Sequence, residues 1–162
     1  MKLYLLRHGI AAPTGEGADA DRSLTEEGAE KTRKAARGLA ALEVAPDLVF
    51  TSPLRRAVET AAIAAKELGV KDVRLTRSLL PAAEPEDLID DLEGVEADAV
   101  LAVGHLPHLD AFIAHAVGQR RRAITGLGKA GAACLEFEPG WRGEAHLVWL
   151  LTPRMLRQLG RD

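Results

Sequence analysis

Two histidines in the chain stand beside residues that can bind a phosphate. His8 lies between Arg7 and Gly9, and His105 follows a second glycine. Arginine pairs bidentately with phosphate oxygens and stays charged at any relevant pH. A neutral imidazole can attack phosphorus and carry the phosphoryl group as a covalent intermediate. Together with Arg55, these residue types predict a site that binds a phosphoryl group and transfers it to His8.

The predicted chemistry assigns a separate role to each candidate. The nucleophile His8 needs one ring nitrogen to donate to a fixed acceptor, so that the other nitrogen directs its lone pair at phosphorus. Gly9 lets the backbone approach closely enough to supply that acceptor. Arg7, Arg55 and His105 would stabilise the charge on the equatorial oxygens. These four side chains are the catalytic candidates, and the last three are also the substrate-binding candidates.

Two further residues, Arg22 and Glu84, are weaker candidates. Arg22 could reach the phosphate or the rim of the substrate site from the first loop; otherwise it is a surface charge. Arg56 is interpreted as a charge on a solvated helix face. Glu84 lies in a loop where a general acid could sit, and general acid catalysis is worth roughly 10²–10⁴-fold. The alternative, that Glu84 and the acids after it cap a helix beginning near Glu86, is favoured.

Strands that alternate with helices must position these residues. Buried strands are predicted at 2–6, 47–51 and 99–103, each ending before candidate residues. Ligands of open α/β sheets sit beyond the carboxyl ends of the strands, so the candidates should meet at one edge. The pattern predicts a three-layer α/β sandwich with a mostly parallel central sheet flanked by helices, in a single domain over 1–162. Helices are predicted at about 25–42, 53–68, 86–92, 107–117 and 153–159, and further strands at 73–75, 132–137 and 147–151.

Composition excludes several classes of function. A net charge of -3 argues against a broad nucleic-acid surface. No apolar run approaches the roughly 18–20 residues that span a bilayer, and the N-terminal apolar stretch is too short for a signal peptide. The single cysteine, Cys134, excludes an internal disulfide and a cysteine zinc cage. We therefore expect a cytoplasmic protein. The basic run Arg120–Arg122 could dock an acidic partner or nucleic acid, although a solvated loop explains it better.

Four motifs, in order along the chain, resemble those of the histidine phosphatase superfamily, which includes the phosphoglycerate mutases. They are LRHG at 6–9, RSLTEEG at 22–28, SPLRRAVET at 52–60 and VGH at 103–105. Within the superfamily the chain is similar to the short SixA-type phosphohistidine phosphatases, in LLP at 79–81 and GHLP at 104–107. Only 49 residues separate Arg55 from His105, where mutase-like members typically carry a larger insertion with a lid and a proton-donating glutamate.

The resemblance implies a phosphoglycerate mutase-like fold and a metal-independent phosphatase without a cofactor. It implies a covalent phosphohistidine at His8 and a substrate that is a phosphohistidine on a protein, such as a phosphotransfer domain. Three alternatives stay open. They are a small-molecule phosphomonoesterase of the same superfamily, a phosphate-binding module without turnover, and a metal site formed by His8, His105 and His108.

Overall fold

A six-stranded sheet forms the centre of the computed structural model, which describes residues 1–15, 17–119 and 122–161. Arg120 and Arg121, and with them most of the basic run noted above, lie outside the described residues. The strand order is β3-β2-β4-β1-β5-β6; the first four strands are parallel, whereas β5 and β6 are antiparallel additions at one edge. The strands are β1 Lys2–Arg7, β2 Leu48–Thr51, β3 Val73–Leu75, β4 Ala99–Gly104, β5 Ala132–Glu138 and β6 Glu144–Leu151.

Five helices connect or follow these strands, and their ends show local sequence signals. The Thr25 side chain accepts a hydrogen bond from the Gly28 amide at 2.9 Å, so Thr25 is the N-cap of α1. Gly69 closes α2 with a left-handed backbone at φ 72°. No helix in the described part of the chain is both long and apolar enough to cross a membrane. The helices are α1 Glu26–Ala41, α2 Arg55–Leu68, α3 Pro85–Glu93, α4 His108–Ala116 and α5 Pro153–Leu159.

The sheet has a hydrophobic core on each face. Alternate residues of a strand point to opposite faces, and in β1 Leu3 and Leu5 belong to one core whereas Tyr4 and Leu6 belong to the other. Helices α3 and α4 contribute to the first core, and α1, α2 and α5 contribute to the second. The predicted three-layer α/β sandwich is therefore confirmed, because a parallel sheet buried on both faces needs helices on both sides.

The strand order brings three carboxyl ends together. β2, β4 and β1 are parallel neighbours, and Thr51 pairs with Val103 while Arg7 pairs with Gly104. The pairing continues one step further, because the His8 amide donates to the Gly104 carbonyl at 3.0 Å. The loops that follow all three strands therefore start at the same edge of the sheet, as predicted.

The contact between α1 and the loop after β1 depends on Gly28. A Cβ at this position would lie 2.0 Å from the Ile10 carbonyl oxygen. Glycine to alanine in a helix ordinarily adds up to about 1 kcal/mol of stability, but this clash should make Gly28→Ala destabilising by about 1–3 kcal/mol. Urea unfolding monitored by circular dichroism measures the change.

Gly94, the C-cap of α3, provides the matched control. Its φ is -79° and the nearest atom to an added Cβ, the Asp91 carbonyl oxygen, would lie at 3.4 Å. Gly94→Ala should therefore be neutral or stabilise by up to about 1 kcal/mol. A Gly28→Ala variant as stable as Gly94→Ala would show that the close approach of α1 does not matter.

Candidate active site

His8 lies one residue beyond β1 with only 5% of its surface exposed. Its Nδ1 is 2.7 Å from the Gly9 carbonyl oxygen. A carbonyl oxygen can only accept, so Nδ1 carries the proton and donates it, which leaves the Nε2 lone pair free in the neutral ring. The backbone acceptor expected at Gly9 is present. An added Cβ at Gly9 would lie 2.3 Å from Thr32 Oγ1, so this close backbone approach needs glycine.

Burial and nearby cations keep the His8 ring uncharged. Desolvation lowers the pKa of His8 to about 4; the positive charges of Arg56, Arg7 and Lys129 add to this decrease, and the bond to the Gly9 carbonyl opposes it. At neutral pH the imidazole is therefore unprotonated. This is the form that can act as a nucleophile.

His105 forms the other wall of the site. Its ring centroid lies 5.0 Å from that of His8, and its Nε2 is 2.7 Å from Ser52 Oγ. Burial lowers the pKa of His105 to about 3. Repulsion from the His8 ring, when that ring is protonated, and from Arg56 adds to this decrease. Nδ1 of His105 is buried and has no hydrogen-bond partner within the described residues. His8 and His105, far apart in sequence, are thus brought together.

Arg7 is held by a segment from the distant end of the chain. Its Nη1 donates to the Leu127 carbonyl oxygen at 2.9 Å. The Asp110 carboxylate accepts from the Leu127 amide at 3.3 Å and from the Thr125 hydroxyl at 2.8 Å. Burial lowers the pKa of Arg7, and the negative charge of Asp110 opposes that effect. Asp110, only 7% exposed, therefore supports both Arg7 and the segment that binds it.

The two arginines at the start of α2 point in different directions. The Arg56 side chain is only 7% exposed; it donates from Nη1 to the Asp19 carbonyl at 3.1 Å and pairs with the Asp19 carboxylate at 3.4 Å. The Arg55 side chain is 58% exposed and pairs with Glu59 at 2.8 Å. The interpretation of Arg56 as a solvated helix charge is therefore wrong. The structure does not bring Arg55 into the buried cluster, so the predicted contact of Arg55 with phosphate competes with an assignment of that contact to Arg56.

Helix periodicity could have distinguished the two arginines. The buried face of α2 contains Ala57, Thr60, Ala61 and Ala64. Arg56 precedes Thr60 by four residues, and so lies on that face. Arg55 instead precedes the polar Glu59 by four residues. Both arginines lie inside the helix whether it begins at Pro53 or at Arg55, so this amphipathic pattern was available from the sequence.

Thr60 joins the loop at His8 and Gly9 to α2. Its hydroxyl accepts from the Gly9 amide at 3.0 Å and donates to the Arg56 carbonyl at 2.7 Å. The side chain is fully buried. The Gly9 carbonyl is the acceptor of the His8 proton. If Gly9 moved, its amide would lose the buried hydrogen bond to Thr60, which lies one turn after Arg56 in α2. Thr60 therefore keeps His8 and Arg56 in a constant relative position.

Arg22 organises the first loop. It donates from Nε to the Ala12 carbonyl at 2.8 Å and pairs through Nη1 with the Asp19 carboxylate at 2.9 Å. Since Asp19 also binds Arg56, Arg22 supports the site indirectly. A direct contact between Arg22 and a substrate stays a prediction.

Glu84 and His108 lie on the α3–α4 side of the site. Glu84 occupies the N-cap position of α3, and Glu86 and Asp87 lie in its first turn, as the capping interpretation expects, although the Glu84 side chain makes no capping hydrogen bond. It lines a groove of about 560 Å³ between the two helices, and a catalytic role for it stays a prediction.

His108 is 1% exposed, and burial lowers its pKa. No group of three or more His, Cys, Asp or Glu among the described residues could hold a metal ion, so His8, His105 and His108 do not form the alternative metal site.

Comparisons with known proteins agree with this geometry. Residues 3–80 match the histidine phosphatase superfamily (branch 1). An uncharacterized protein of Picosynechococcus sp. (strain ATCC 27264 / PCC 7002 / PR-6) is 37% identical over 169 aligned residues, which cover 96% of this chain and 99% of that protein. The chain belongs to the histidine phosphatase superfamily.

Two other proteins are similar to all or part of this chain. The structure of the protein histidine phosphatase SixA complexed with tungstate has a TM-score of 0.84, with 24% identity, and the match covers 96% of this chain and 99% of that one. The 2,3-bisphosphoglycerate-dependent phosphoglycerate mutase of Thermobifida fusca is 40% identical over 79 residues, only 32% of its length. The chain therefore shares the fold of SixA over nearly the full length of both chains, whereas its sequence similarity to the mutase extends over 79 residues.

Stability should fall with pH because the buried histidines resist protonation. In the folded chain the pKa of His8 is about 4, whereas an unperturbed histidine titrates near 6.5. Between these values the unfolded chain binds a proton that the folded chain does not, so stability is complete above pH 6.5 and decreases as pH falls towards 4. From pH 6.5 to 4 the wild type should lose about 2–3 kcal/mol more than His8→Asn, measured by urea unfolding.

The control for this experiment is His146→Asn, which removes an exposed histidine from β6. It should show the wild-type dependence on pH. If His8→Asn and the wild type lose stability in parallel, His8 is not buried as a neutral imidazole.

Proposed function

We propose that this chain is a phosphatase that hydrolyses phosphohistidine on a protein through a covalent phosphohistidine at His8. One observation carries the proposal: the buried Nδ1–H of His8 donates to the Gly9 carbonyl. This leaves Nε2 as an unprotonated nucleophile beside the charges of Arg7 and Arg56. Such an arrangement suits attack on a dianionic phosphoryl group.

The reaction has two steps. In the first, Nε2 of His8 forms a bond to phosphorus while the bond from phosphorus to the substrate imidazole breaks, and the departing ring nitrogen takes up a proton from solvent. In the second, water attacks the phosphoryl group, which releases inorganic phosphate and regenerates neutral His8. Arg7 and Arg56 stabilise the charge on the oxygens in both steps. Since an imidazole is the nucleophile and arginines balance the charge, neither step needs a metal ion or a cofactor.

The arriving phosphoryl group also changes the state of His105. In the free site its pKa is about 3, but a dianion nearby favours the protonated ring. The ring of His105 lies beside that of His8 and can then donate a hydrogen bond to a phosphoryl oxygen. The same group that binds at His8 thus strengthens its own contact with His105.

An open site favours a protein substrate. Only β3, α3 and a short 3-10 helix at Arg77–Leu79 lie between α2 and β4, so no large insertion covers the strand ends. The fold and length shared with the protein histidine phosphatase SixA support the same substrate class. A phosphorus–nitrogen bond also needs less assistance from a general acid than an ester of a sugar alcohol. This fits a site in which Glu84, the candidate acid in the loop before α3, lines a groove beside α4.

A small-molecule phosphomonoesterase is the second candidate. The 40% identity to the Thermobifida fusca phosphoglycerate mutase over 79 residues favours it. The two candidates share the covalent step at His8 and differ in the leaving group. A comparison of substrates therefore separates them.

The first test compares a phosphohistidine-bearing phosphotransfer domain with sugar phosphates and an aryl phosphate, all in the presence of a metal chelator. We expect the phosphoprotein to have the highest kcat/KM. Brief exposure to ³²P-labelled substrate should leave acid-labile, alkali-stable phosphate on the wild type, because a phosphoramidate hydrolyses in acid. His8→Asn should retain none.

The outcomes of this test separate the candidate functions. If sugar phosphates react much faster than the phosphoprotein, the monoesterase assignment replaces the proposed one. Oxyanion binding without labelled His8 or turnover would indicate a binding module. Loss of activity on chelation would contradict a reaction without metal.

A pair of arginine variants tests which side chain at the start of α2 binds the phosphoryl group. Arg56→Gln removes a buried charge beside His8 and should lower kcat by about 10²–10³. Arg55→Gln removes an exposed charge paired with Glu59 and should change kcat by less than about threefold. Steady-state kinetics with one substrate measures both. Equal losses in the two variants, or a larger loss for Arg55→Gln, would contradict the assignment to Arg56.

A further inference from the structure

A turn at Gly128–Gly131 is attached directly to the backbone of the nucleophile. The Gly131 amide donates to the Gly128 carbonyl at 2.7 Å, which closes the turn around Lys129 and Ala130. The Ala130 amide donates to the carbonyls of Arg7 and His8, at 3.1 and 3.2 Å. The turn therefore keeps a constant position relative to the reacting histidine.

The backbone conformation of the turn places Lys129 at its tip. Ala130 has a φ of 60°, a left-handed conformation that costs a residue with a side chain of the order of 1 kcal/mol. Ala130 is buried, with 2% of its surface exposed, whereas Lys129 is exposed. Strain at a buried alanine thus accompanies a lysine presented to solvent at the mouth of the site.

Lys129 differs in its partners from the three arginines near the site. Arg22 and Arg56 pair with Asp19, and Arg55 pairs with Glu59. Within the described ranges, no carboxylate forms an ion pair with Lys129. Its charge still reaches the buried site, since it contributes to the low pKa of His8. The ammonium group is thus available to an anion that arrives from solvent.

We propose that Lys129 is an additional phosphoryl-binding residue, whose ammonium group contacts a non-bridging oxygen of the phosphoryl group from the solvent side. This rests on the proposed function. The turn is bonded to the residues that would bind the phosphoryl group, Arg7 and His8, so its distance from phosphorus is constant whatever the leaving group. Lysine acts as a flexible point charge, and can therefore follow the phosphoryl oxygens from substrate to phosphoenzyme.

Inorganic tungstate, a tetrahedral oxyanion without a leaving group, provides the test. Isothermal titration calorimetry should show about tenfold weaker tungstate binding by Lys129→Met than by the wild type. Lys129→Arg keeps the charge and should restore most of the affinity. NMR titration should also show a higher His8 pKa in Lys129→Met, because one of the cations that lowers it has been removed.

Lys71→Met is the matched control, because Lys71 is exposed just before β3 at the opposite edge of the sheet. It should bind tungstate as the wild type does.

Unchanged tungstate affinity in Lys129→Met would overturn the proposal. A higher KM for the phosphoprotein with unchanged tungstate affinity would also overturn it, because the lysine would then contact only the leaving-group side. If labelled phosphate accumulates on His8 while Lys129→Met behaves as wild type, the proposed function survives without this contact. If the wild type neither binds tungstate nor retains label on His8, both the proposed function and the Lys129 contact are contradicted.

Discussion

The neutral state of one buried imidazole is the constraint around which the site is arranged. His8 is removed from water and lies near three cations, and each of these features disfavours its protonation. The same cations would attract a dianionic phosphoryl group. In the proposed reaction, a single arrangement of charges thus keeps the nucleophile reactive and favours its substrate, without a separate base to deprotonate the ring. The bond to the Gly9 carbonyl then selects the nitrogen that stays free.

The two buried arginines are positioned by the same kind of support. Arg7 donates to the Leu127 carbonyl and lies near Asp110. Arg56 donates to the Asp19 carbonyl and pairs with its carboxylate. A main-chain oxygen sets the direction of each guanidinium, and a carboxylate offsets part of its charge. Donors that are already oriented lose little freedom when the phosphoryl group binds, which is the basis of electrostatic preorganisation.

The elements outside the site explain why these supports persist. Parallel pairing of β2, β4 and β1 brings their ends together, and the helices on both faces keep the sheet buried. Thr60 adds a buried bond between α2 and the Gly9 backbone. The relative position of nucleophile and arginine therefore depends on tightly packed elements rather than on flexible loops, which suits a site that is open to a large substrate.

Local patterns in the chain were sufficient for the order of strands and helices, the layered architecture, and the backbone acceptor that Gly9 supplies to the His8 ring. These features depend on neighbouring residues, such as a strand that ends at Arg7 or a glycine that closes α2 at position 69. The difference between Arg55 and Arg56 was also local, because the spacing of the apolar residues places Arg56, and not Arg55, on the buried face of α2.

Asp110 and Lys129 could not be found in this way. Arg7 and Leu127 are 120 positions apart, and no local signal shows that the segment around Lys129 folds back onto the nucleophile. Residue type, spacing and motif thus defined the reacting groups, because those depend on chemistry that each residue carries itself. The supports of those groups arise from contacts between remote segments. These contacts exist only once the sheet has formed and the Gly128–Gly131 turn has packed against the end of β1.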